Sequence, residues 1–122
     1  VGYFDSNLRI CEDYDLWVRI LDRHPVFCIQ EELNIKYGGH SDQLSYSEKA
    51  LDRFRVYSLV KYLKSALDQK KIDLVISALE KKLGFLEKGA RKRNLLSEAT
   101  RYLEMEKFLN SFKLKKMYPR TK

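Results

Sequence analysis

A chain of 122 residues, 44% of them hydrophobic, has one domain's length and enough apolar content for a packed core. No apolar run approaches the roughly 18 residues of a membrane-spanning helix, and no signal-peptide pattern opens the chain. It therefore reads as cytoplasmic, and at most peripheral to the inner face of a membrane. The formal net charge of +7 belongs to one end: residues 91–122 hold ten Lys or Arg against three Glu, while residues 1–90 hold fourteen of each sign.

In chain order, residues 2–8 read as a turn, with Asp5 and Ser6 supplying local backbone hydrogen bonds. Residues 10–21, I-C-E-D-Y-D-L-W-V-R-I-L, carry helical spacing. Asp13, Leu16, Trp17 and Ile20 share one face, and Glu12, Asp15, Arg19 and Asp22 share the opposite one. The second face reads as solvated, its Asp15 and Arg19 four apart and worth about 0.2–0.5 kcal/mol. The first is expected to be buried, which puts the carboxylate of Asp13 at the head of an apolar stripe. Two roles fit Asp13: a partner for the free N–H groups of the helix N-terminus, and a general base held on a rigid element at the rim of a cleft. His24 and Pro25 end the helix. Cys11 and Cys28 form neither a C-x-x-C pair nor a metal-ligand spacing, and read as reduced, buried thiols.

Residues 26–29 and 33–37 are short apolar or alternating runs that predict a β-hairpin or sheet edge. The stretch 38–46 follows, with two glycines and then His40, Ser41, Asp42 and Gln43, all suited to directed hydrogen bonding. Ser45 with Glu48 fits a capping box for a helix over 48–67. There Arg53 and Arg55 read as a solvated face or as partners of Asp52. The clearest amphipathic period, Ile72, Val75, Ile76, Leu79, Leu83 and Leu86, predicts a helix over 72–88 closed by Gly89. A third helix spans 92–112, with Leu95, Ala99, Tyr102, Leu103 and Phe112 at near-helical intervals. These three form a small antiparallel bundle. The basic residues 113–122 read as a solvated tail that can also touch anionic lipid headgroups.

Three separate motifs then agree in order. G-Y-F-D-S-N-L at residues 2–8, C-E-D-Y-D-L-W-V-R-I at 11–20 and G-G-H-S-D-Q-L-S at 38–45 together resemble the closing part of a family 2 glycosyltransferase catalytic domain. The resemblance covers roughly the first 55 residues. It implies the GT-A fold and inversion at the sugar carbon, and it makes the acidic pair Glu12 and Asp13 the candidate catalytic residues. The face argument selects Asp13 as the base and leaves Glu12 as a supporting acid. Adjacent helical positions diverge by about 100°, so this pair is poorly placed to flank a glycosidic bond as hydrolase carboxylates do.

The resemblance further implies a substrate-binding role for Trp17, Arg19, His40, Asp42 and Gln43, and a metal-ligand role for His40. A solvent-exposed loop histidine is the other reading of His40. A nucleotide-sugar donor, a glycan or lipid-linked acceptor and a divalent metal, Mg or Mn, are expected of the full-length enzyme. The expected fold is α+β, mainly α: residues 1–46 end a GT-A domain, 47–112 form the helical extension, and 113–122 the basic tail. Such a chain keeps the base and the acceptor side and lacks the donor-binding half, so that alone it is inactive. The alternative is a non-catalytic basic helical module that binds an acidic partner, whether anionic membrane, nucleic acid or protein.

Overall fold

The computed structural model describes residues 1–35, 37 and 48–117. His40, Asp42, Gln43, the Ser45 cap and residues 118–122 lie outside the described residues. Among the described residues four helices follow one another: α1 (Glu12–Arg23), α2 (Asp52–Leu63), α3 (Gln69–Lys92) and α4 (Leu96–Met117). The mainly helical expectation holds. The expected β-hairpin does not: among the described residues there is no strand, and residues 25–35 run irregularly with every residue exposed. A two-stranded ribbon needs a third strand or a helix to cover its apolar face, and among the described residues this segment meets neither.

The core is built on α3. Its stripe of Ile76, Leu79, Leu83, Leu86 and Ala90 is buried, with Leu79 and Leu83 wholly removed from solvent. Val56 and Leu59 of α2 close on one side of that stripe, and Tyr102, Met105 and Leu109 of α4 on the other. The connections between these helices are short, as in an antiparallel bundle. Where α2 and α4 diverge above α3 they leave an apolar trough of about 760 Å³, lined by Leu63, Ile72, Met105 and Phe108 among others.

Helix ends differ from the sequence expectation for local reasons. α2 starts at Asp52, not at residue 48, because Ala50 adopts a left-handed conformation (φ 58°) that a helix does not tolerate. It stops at Leu63, leaving Leu67 exposed beyond its end. α3 begins three residues early, since the Asp68 carboxylate accepts from the N–H groups of Lys70 and Lys71. Gly89 does not close α3. The helix continues to Lys92, and Asn94 (φ 58°) supplies the left-handed residue of a Schellman turn. In that turn Leu95 N–H donates to the Ala90 carbonyl and Asn94 N–H to the Arg91 carbonyl. Nor does the chain loosen at residue 113: α4 runs to Met117, and Lys113 Nζ lies 2.6 Å from Glu80 on α3.

Candidate functional site

The first eleven residues and α1 form the candidate site. Asp5 opens it with a tight turn, its side chain accepting from Asn7 N–H at 2.9 Å and its carbonyl from Leu8 N–H. Leu8, Ile10 and Cys11 are buried, and Cys11 takes the left-handed region (φ 59°) as it hands the chain into α1. Burial pushes the Cys11 thiol above its ordinary pKa. Cys28, expected to be buried, is exposed.

Helix α1 sits on α2 by the face opposite to the one expected. Tyr14 and Val18 pack against the core, and between them Asp15 is only 2% exposed. Asp13 is exposed and Trp17 is 52% exposed, so these two residues of the expected inward stripe point away from the bundle, while Leu16 and Ile20 are half-buried. The correction has a physical cause. The partners that make the polar face buriable stand on α2 and α3, far along the chain. Asp15 Oδ2 accepts from Arg19 Nε at 3.0 Å and Oδ1 from Lys61 Nζ at 2.9 Å, so both oxygens of the buried carboxylate are satisfied by cations. At the other end of α1, Asp22 accepts from the Tyr62 hydroxyl at 2.8 Å and from Lys71 Nζ at 3.1 Å.

These bonds set the ionisation of the cluster. The Lys61 ammonium beside Asp5, at 2.6 Å, and the Asn7 N–H hold the Asp5 carboxyl down at about 2. Partial burial works against the charge of Lys61, but its bonds to Asp5 and Asp15 outweigh that and raise its pKa. The hydrogen bond from Tyr62, then that from Lys71, lowers the pKa of Asp22. Burial and the bond to Asp22 push the Tyr62 phenol up to about 12.

The predicted residues therefore separate. Asp13 and Glu12 lie side by side in the first turn with no cation paired to either among the described residues. Asp13 Oδ1 accepts from the N–H of Tyr14 at 2.7 Å, so the terminus-bonding role weighed from sequence is present. Trp17 lies on the same outward side, one turn on. Arg19 is not on that side: all three of its nitrogens are engaged, Nε with Asp15 and the other two with the carbonyls of Val1 and Tyr3. Arg55 pairs with Asp52 at 3.0 Å, and Arg53 with Glu48, as salt-bridge partners rather than phosphate ligands. Among the described residues no group of three or more His, Cys, Asp or Glu could share a metal ion.

What sequence reasoning missed is the clamp of Lys61, Asp5 and Asp15. The only local signal was the spacing of Asp15 and Arg19; Lys61 lies 46 residues from Asp15 and carries no motif. No helix among the described residues is long and apolar enough to cross a membrane. No protein-family model, curated protein or solved structure matches the chain.

Proposed function

We propose that the chain is the acceptor-side, base-bearing part of a glycosyltransferase that moves a sugar from a nucleotide-sugar donor to a hydroxyl acceptor. Asp13 is the general base and Glu12 its supporting acid. The observation that carries this reading is how the acids of α1 divide their work. Asp15 and Asp22 are bound by cations and hold the helix down, whereas Asp13 stands exposed on a helix, with no partner for Oδ2 among the described residues. The motif order in residues 2–45 supplies the reaction class.

In that reaction the acceptor oxygen attacks the anomeric carbon as its proton passes to Asp13. The bond from sugar to nucleotide phosphate breaks, its electron pair leaves with the phosphate, and the configuration inverts. Trp17, on the same side of α1 as Asp13, offers an aromatic surface to the acceptor ring. The test is sugar transfer by the full-length enzyme that this reading implies. Asp13→Asn is nearly isosteric at an exposed position, and is expected to abolish transfer while urea unfolding stays where it was. Transfer at a comparable rate would remove Asp13 as the base.

The rival is a basic binding module. It draws on the exposed Lys92, Arg93, Arg101 and Lys107, which form no ion pair among the described residues. That module predicts a salt-sensitive association that survives Asp13→Asn.

A further inference from the structure

The helical segment that follows residue 47 matches no motif, yet it supplies the cation on which the candidate site closes. We infer that Lys61 of α2 is a positioning residue, which holds the loop of residues 1–8 and helix α1 in one fixed relation and so aims Asp13. The inference rests on the glycosyltransferase reading and goes beyond it, because it assigns the helical extension a task in that site.

Four observations meet at Lys61. Its ammonium lies 2.6 Å from Asp5 on the loop and 2.9 Å from Asp15 on α1, so a single charge on α2 joins both segments to one helix. Asp15 is nearly inaccessible to water, and a buried carboxylate keeps its place only while its bonds are made. Its second oxygen holds Arg19, whose other nitrogens hold the carbonyls of Val1 and Tyr3; the loop backbone is thereby tied to the same anion. Finally, Tyr62, the next residue on α2, bonds Asp22 near the far end of α1, so that neighbouring residues of one helix fix both ends of another. Asp13 lies two residues from Asp15, about 200° away around the helix, and therefore faces outward whenever Asp15 is held inward. Tyr14 and Val18 add apolar contacts to the core, and these bonds fix the rotation and tilt of α1 about them.

The test has two readouts, one of which needs no substrate. In the 122-residue chain, amide exchange of residues 12–23 is compared with that of α3 for Lys61→Met and Lys61→Arg. Lys61→Met is expected to speed exchange in α1 on the order of tenfold while α3 keeps its protection. Lys61→Arg is expected to restore α1, since a guanidinium can also bridge two carboxylates. An α1 as protected in Lys61→Met as in the native chain overturns the inference. So does an equal loss in α1 and α3, which would mean a general stability role.

In the full-length enzyme Lys61→Met is expected to lower kcat roughly ten- to a hundredfold with the donor KM unchanged, as displacement of a base requires. If Asp13→Asn abolishes transfer and Lys61→Met leaves kcat intact, positioning by Lys61 is wrong and the base stands. If Asp13→Asn leaves transfer intact, the base assignment itself has failed, and the aiming role of Lys61 falls with it.

Discussion

Helices α3 and α1 solve the same problem in opposite ways. Both are amphipathic by sequence, but α3 buries its apolar stripe, whereas α1 buries the polar face and leaves Trp17 and Leu21 half in solvent. For α3 the partners come from adjacent helices with apolar faces of their own, so hydrophobic burial decides the orientation. For α1 the neighbour is α2, which presents Lys61 and Tyr62. Charge pairing, together with the small apolar contact of Tyr14 and Val18, turns α1 around. Amphipathicity therefore shows that a helix has two faces; which face goes inward depends on the partner.

Substitutions at matched positions break this contrast at graded cost. Leu83→Ala removes a fully buried side chain from the centre of α3, and is expected to cost about 3–4 kcal/mol in urea unfolding. Asp15→Ala strips the anion from Lys61 and Arg19. Breaking a buried pair costs about 3–5 kcal/mol, but both cations here keep some contact with water, so about 2–3 kcal/mol is expected. A cost below that of a surface substitution, about 0.5 kcal/mol, would mean that α1 is not held by its charges.

Acid sharpens the same comparison. The folded Asp5 carboxyl titrates at about 2, below its ordinary 3.8, so its contribution is complete above about pH 4 and is lost as the pH falls toward 2. The urea midpoint is expected to drop across that window, and Asp5→Asn should flatten the drop. The smallest effect is reserved for the exposed side of α1. Trp17→Ser should change unfolding by no more than about 0.5 kcal/mol, although Trp17 is the largest side chain on the helix. A loss of several kcal/mol would show that the outward face is packed after all.

Much of the fold is visible in the residues. The stripe of α3 and the helix end at His24 follow from spacing and local bonding, and Asp68 and Asn94 carry cap signals that would have set the ends of α3 more closely. The site was visible only in part. Asp13 and Glu12 stand out through their motif, but the burial expected of Asp13 at the head of an apolar stripe is reversed: Asp13 is exposed, and like Glu12 it has no cation partner among the described residues. The expected hairpin of residues 26–37 fails for a related reason. Alternation records a face that can be covered, and with Phe27 88% exposed nothing among the described residues covers it.

By itself the sequence determined three properties: helical periodicity, the apolar stripe on which the bundle packs, and the basic character of residues 91–122. All of these reside in residue type and in spacings of a turn or two. The tertiary structure alone decided which face of α1 is buried and which acids are left unpaired. That outcome turns on an ammonium group reaching Asp5 across 56 residues and Asp15 across 46, and no local pattern encodes contacts at such separations.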